Sequence, residues 1–292
     1  AILMVQEKKK DVFYCTISCL LERGRGKMII TVALTKGGVG KTTTSVNLAA
    51  AFAKDGKRVC VIDLDQQGNA TYSLTGKEKY HYNDRGIFDL LMTGGESGIE
   101  NRCLHKTVVD NLFVIPSTGM TSQILPLLPI LRARHPEKKE YMLLADAIGP
   151  LRSQFDVIVV DTPPAKDALT LSGLYLGDWA LFPVNADKYS LDALAETYSL
   201  IQSLEREDGK KIRLLGILLT KVERNTSTSL IRKNLREGKF ASLMLKSEIR
   251  KGTAVTDSTL LGGPVLCTEP RSNPAKDYMA LYEEICGRLF SE

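Results

Sequence analysis

The sequence predicts an α/β fold: a doubly wound, mostly parallel twisted sheet with helices on both faces. Three observations predict it. Short runs rich in Val, Ile and Leu recur along the chain and are almost uniformly apolar, as strands buried on both faces must be. Segments of helical periodicity alternate with them, as parallel strands joined by crossovers require. The 292 residues are 43% hydrophobic and 25% charged, which gives enough apolar surface for one large core.

Residues 1–27 are read as an N-terminal extension, and 28–292 as one domain. Lys8-Lys9-Lys10 followed by the apolar run 12–21 imitates a secretory signal. The run is too short to span a bilayer, Asp11 interrupts its flank, and Glu22-Arg23-Gly24-Arg25 stands where small cleavage-site residues belong. Met28 is read as the natural start, because residues 22–27 can all be encoded by purine-only codons, as a translated ribosome-binding site would be. Alternatively the stretch is a genuine extension, disordered or helical.

Strands are expected at 29–34, 59–64, 112–115, 155–160, 179–184 and 214–220. Helices are expected at 42–55, 137–151, 191–206, 227–237 and 274–290, each bounded by Gly, Pro, Ser or Asp. Residues 75–101, rich in Gly and charge, are expected to form a mobile loop region. The six cysteines are scattered without a CxxC pair in a chain too large to need disulfide staples, so they are read as reduced, with Cys60 a small core residue.

Directly after the first strand comes Lys36-Gly37-Gly38-Val39-Gly40-Lys41-Thr42-Thr43, and a helix follows at once. This order suits a phosphate cradle. Glycines let backbone N–H groups turn inward, the helix N-terminus adds partial positive charge, Lys41 reaches the terminal phosphates and Thr42 offers its hydroxyl to magnesium. The usual P-loop has Gly at position 35, where this chain has Thr35, and a second lysine, Lys36, follows it. The second strand ends in Asp63-Leu64-Asp65-Gln66-Gln67-Gly68-Asn69, and the fourth in Asp161-Thr162-Pro163-Pro164. Carboxylates at the carboxyl ends of parallel strands face the ligand crevice.

The string KGGVGKTT resembles the deviant Walker A P-loop of the ParA/MinD superfamily, and the chain from Met28 to its end is similar to the ParA-family partition ATPases. The 63–69 segment resembles that family's DxDPQGN motif, with Gln66 in place of proline, and 161–164 matches its DTPP ending. The resemblance implies that Lys36 crosses a dimer interface to the partner's ATP and that Lys36, Lys41 and Asp65 are the catalytic residues, Asp65 positioning or activating the attacking water. It further implies that Lys36, Gly37, Gly38, Val39, Gly40, Lys41, Thr42 and Thr43 bind ATP, and that Thr42, Asp63 and Asp161 serve Mg2+. Residues 221–225 occupy the place where the superfamily holds adenine; alternatively they are an ordinary surface loop.

Net charge is +5, yet residues 1–27 hold six basic and three acidic residues, leaving +2 on the remainder. Between Lys210 and Lys251 twelve Lys or Arg face only Glu223, Glu237 and Glu248. Arg232, Lys233, Arg236, Lys239, Lys246, Arg250 and Lys251 could therefore track a phosphate backbone, or form a solvated charged face. The resemblance favours DNA, with Arg250 aligned to a DNA-binding arginine. It implies a cytoplasmic, nucleoid-associated homodimer in the ATP state that binds non-specific DNA and has a ParB-type partner stimulating slow hydrolysis. MinD-like proteins carry a basic amphipathic membrane tail; here Tyr278–Leu289 is followed by only three residues, so no membrane partner is expected. No cysteine pair suggests the iron–sulfur cluster of a nitrogenase-reductase-like enzyme.

Overall fold

The apolar runs become the middle of one eight-stranded sheet, and its carboxyl edge carries the motif residues. The structure, a computed structural model, describes residues 27–94 and 98–290. The expectation for residues 1–27 therefore lies outside the described residues, except at Lys27. The strands are β1 (Met28–Val32), β2 (Val59–Asp63), β3 (His105–Lys106), β4 (Leu112–Ile115), β5 (Val157–Asp161), β6 (Trp179–Asn185), β7 (Arg213–Val222) and β8 (Met244–Arg250). Their spatial order is β3-β4-β2-β5-β1-β6-β7-β8. Every neighbouring pair is parallel except β3 with β4.

Side chains of the central strands alternate between two faces, as the twofold period of a strand dictates. Ile30, Val32, Val59 and Val61 join the core under helices Lys41–Lys54 and Asn273–Phe290. Ile29, Cys60 and Ile62 join a second core, where helices Glu140–Ile148 and Ala168–Leu176 pack. Farther along, Ala180, Phe182 and Val184 of β6 face helix Lys188–Asp208 in a third cluster. On the first face, Phe52 meets Tyr282 edge-on at 5.0 Å, and the Tyr282 hydroxyl donates to Asp55 Oδ2 at 2.7 Å. Such an aromatic pair contributes about 0.5–1.5 kcal/mol beyond burial.

Six expected strands form, with ends displaced by a few residues. Two were not expected, and both are edges. β8 reads Met-Leu-Lys-Ser-Glu-Ile-Arg, a mixed pattern because only part of an edge strand is buried. Three of its amides are bonded to carboxylates of the last helix: Lys246 N and Ser247 N donate to Glu284, and Arg250 N donates to Asp277. The helix expected at 137–151 is shorter, Glu140–Ile148, and continues as a 3-10 segment, Gly149–Gln154, at Pro150. Within 75–101 the loop expectation is corrected. Helix Ile87–Met92 lies there, and Tyr82, Ile87, Leu90 and Leu91 are buried.

Candidate nucleotide site and basic face

Loop 35–40 joins β1 to helix Lys41–Lys54, and its conformation depends on glycine. Gly38 has φ 73° and Gly40 has φ 85°, left-handed values that side chains disfavour. Gly40 also caps the helix without any side-chain acceptor, and the first turn holds no acidic residue. The initial amides are thus left for an anion. Two neighbours brace the loop: Thr220 Oγ1 donates to Val39 O at 2.8 Å, and Asn185 Nδ2 to Gly38 O at 3.4 Å.

A cavity of about 520 Å³ opens over the loop, lined by Gly37, Gly38, Gly40, Lys41, Thr42, Thr43 and Asp65 among others. A second, of about 460 Å³, adjoins it and is walled by Thr220, Lys221, Arg250–Thr253, Thr256 and Tyr278. The two share Gly40, Thr43, Lys221, Val255 and Thr256. One chamber with phosphate donors beside another with apolar and aromatic walls suits a nucleotide. Of residues 221–225 only Lys221 lines either chamber; Glu223 pairs with Lys251, and Asn225 caps helix Thr226–Glu237.

The strand-end carboxylates differ in their surroundings. Asp161, fully buried, accepts from Thr42 Oγ1 and from Ser45 Oγ, each at 2.8 Å. Burial pushes its carboxyl upward, and the hydroxyl bonds and Lys41 offset part of that. Lys41 is buried beside it and donates to Lys36 O at 2.8 Å. Burial lowers its ammonium against the pull of Asp161 and Asp65. Asp65 lines the cavity, its Oδ1 accepting from Gln67 N at 2.9 Å.

Asp63 behaves differently from its expected place in the magnesium shell. Oδ2 accepts from Thr71 N at 2.8 Å and Thr71 Oγ1 at 2.7 Å, while Oδ1 accepts from Asp65 N at 3.2 Å. Its geometry favours holding the loop that bears Asp65. Among the described residues no group of three or more His, Cys, Asp or Glu could hold a metal. Magnesium keeps several waters and binds one or two protein ligands plus phosphates, and Thr42 and Asp161 fit that part.

Lys36 does not stand free in the single chain. Its Nζ lies 2.5 and 2.6 Å from the two Asp187 oxygens and 3.1 Å from Ser190 Oγ. Asp187 caps helix Lys188–Asp208 through Ser190 N. Burial pushes Asp187 upward, but the bonds from Lys36 and Ser190 outweigh it and hold the carboxyl below its usual range. Asp187, Ser190 and Ser45 escaped the sequence reading. A capping signal at Asp187, three residues before Ser190, was the available clue.

The basic face is largely paired. Arg232 binds Glu248 through two nitrogens at 2.8 and 2.7 Å, and Arg236 joins it at 3.2 Å. Arg250 grips Asp277 through Nε and Nη2, and Lys251 meets Glu223 at 2.5 Å. Lys233 and Lys246 are exposed and make no ion pair among the described residues, while Lys239 lies 4.7 Å from the Phe240 ring centre. Four of the expected cations, Arg232, Arg236, Arg250 and Lys251, are thus paired with carboxylates that offset their charge.

Residues 27–214 match the family model described as an AAA domain. The chain is 30% identical over 262 residues to the sporulation initiation inhibitor protein Soj of Bacillus subtilis, covering 89% of this chain and 98% of that one. It is 28% identical to the chromosome partitioning protein ParA of Myxococcus xanthus, covering 94% and 96%. Among solved structures, an McdA–ATP complex from Cyanothece superposes with a TM-score of 0.76 at 20% identity, covering 90% of this chain and 98% of that one. No helix among the described residues is long and apolar enough to cross a membrane.

Proposed function

The chain belongs to the ParA family of P-loop ATPases, and we propose that it is an ATP-operated dimerisation switch that binds DNA non-specifically and segregates a plasmid or chromosome with a ParB-type partner. The observation that carries this reading is the deviant loop itself. Lys41 is buried near Asp161 and Asp65, whereas Lys36, one residue before the cavity-lining Gly37, is held in a partly exposed pair that a second subunit's phosphates could displace.

In this scheme the amides of Gly37, Gly38, Val39 and Gly40, with Lys41 and Thr43, bind the triphosphate. Thr42 and Asp161 hold magnesium, which neutralises charge on the phosphates. Asp65 orients the attacking water and accepts its proton, and Asp63 keeps the Asp65 loop in register. Lys36 leaves Asp187 for the partner's phosphates, so that two basic faces align along one duplex. Arg232, Lys233, Arg236, Lys246, Arg250 and Lys251 are the proposed DNA contacts. Hydrolysis returns monomers, and the proposed location is the nucleoid in the cytoplasm.

The test is sedimentation of the purified chain with Mg-ATP, Mg-ADP or neither, with and without duplex DNA. The expected result is a dimer only with ATP, and DNA binding that follows it. A monomer at saturating Mg-ATP, with equal DNA affinity in each state, overturns the proposal.

A further inference from the structure

A bulge in the sheet brings one more lysine to the nucleotide cavity. From Leu219 to Val222 strand β7 advances three positions while β8 advances two, from Glu248 to Arg250, and the pairing shifts there. Bulges of this kind re-aim side chains beside active sites. The extra length falls next to Lys221, whose φ is 52°. Among the described residues only Asp84, Asn111 and Lys221 have positive φ without being glycine. Asp and Asn ease that conformation through local hydrogen bonds, a recourse lysine lacks.

The surroundings impose the conformation. On one side Thr220 Oγ1 is tied to Val39 O at 2.8 Å and Val184 O at 3.1 Å; on the other Lys251 N donates to Val222 O at 3.1 Å. As a result Lys221 lines both chambers, on the wall shared with Gly40 and Thr43. Its cationic neighbours are engaged, Arg250 by Asp277 and Lys251 by Glu223. Among the described residues no hydrogen bond or ion pair engages the Lys221 ammonium. A strained, unpaired cation at the junction of two chambers is the kind of feature that function, rather than folding, maintains.

We infer that Lys221 is a nucleotide-contacting residue, binding the phosphates nearest the sugar where the phosphate chamber meets the base chamber. The inference rests on the nucleotide reading above. Those phosphates occur in ADP and ATP alike, so Lys221 strengthens both complexes, unlike Lys36, whose role belongs to the dimer.

The test is titration calorimetry with Mg-ADP and Mg-ATP on the wild type and on Lys221→Met, Lys221→Arg and Lys221→Gly. Lys221→Met is expected to weaken both nucleotides about tenfold, the size of one charge-assisted hydrogen bond, and Lys221→Arg to restore most of the loss. Glycine accepts this φ freely, so Lys221→Gly is expected to raise the nucleotide-free Tm while binding as weakly as Lys221→Met. Wild-type affinity for both nucleotides in the Met and Gly variants, or a loss confined to ATP, overturns the assignment. Failure of the wild type to bind either nucleotide overturns instead the reading on which it rests.

Discussion

Lys36 Nζ lies 2.5 Å from Oδ1 of Asp187, a residue 151 positions away, so the lysine proposed to serve a partner is held by its own chain. A partly exposed pair of this kind contributes about 0–1 kcal/mol. Asp187→Ala should therefore lower the Mg-ATP concentration for half-maximal dimerisation by up to about fivefold, read by sedimentation velocity. Lys36→Ala should abolish the dimer at any ATP concentration. An unchanged midpoint in Asp187→Ala would show that the pair does not oppose assembly.

Of the carboxylates Asp63, Asp65 and Asp161, Asp65 lines the cavity, while Asp63 and Asp161 are fully buried. Asp65→Ala should lower ATP turnover by about 10²-fold or more and lengthen the lifetime of the ATP dimer, measured by phosphate release and by subunit exchange. DNA binding by Asp65→Ala without ATP would contradict the switch.

The Arg250–Asp277 grip makes a directional prediction about DNA. Asp277→Asn releases a guanidinium whose side chain is already 46% exposed, and should tighten binding of the ATP dimer to duplex DNA. Arg250→Glu should weaken it and make the salt dependence shallower by about one counterion. A filter-binding series across salt concentrations separates these outcomes, and an unchanged slope in Arg250→Glu removes Arg250 from the interface.

Asp63 predicts a pH dependence. Burial, with the charge of Asp161 nearby, raises its carboxyl well above the usual range despite the bonds from Thr71. A carboxyl raised in the folded state keeps its proton there, so its contribution is complete below the unfolded pKa of about 4 and is lost as pH rises through the folded value. The nucleotide-free Tm should accordingly fall between about pH 5 and pH 8, and Asp63→Asn should flatten the fall. A Tm that climbs over this interval would refute the raised carboxyl.

The sequence made the phosphate loop legible because loop 35–40 and its helix are contiguous and their glycines serve local geometry. Strands β1, β2 and β5 were legible because both their faces are buried. β8 was not, since half-burial at an edge breaks the apolar run. The second chamber was equally hidden: its wall joins Thr220, residues 249–256 and Tyr278, which meet only when β7, β8 and the last helix pack together. Asp187 was missed because helix Lys188–Asp208 begins three residues earlier than its apolar periodicity indicates.

The last helix has one more consequence, at the sheet's margin. With Lys246 N, Ser247 N and Arg250 N already engaged by Glu284 and Asp277, β8 offers few donors to a foreign strand. Lateral growth of the sheet into a continuous ribbon of subunits is discouraged at that border.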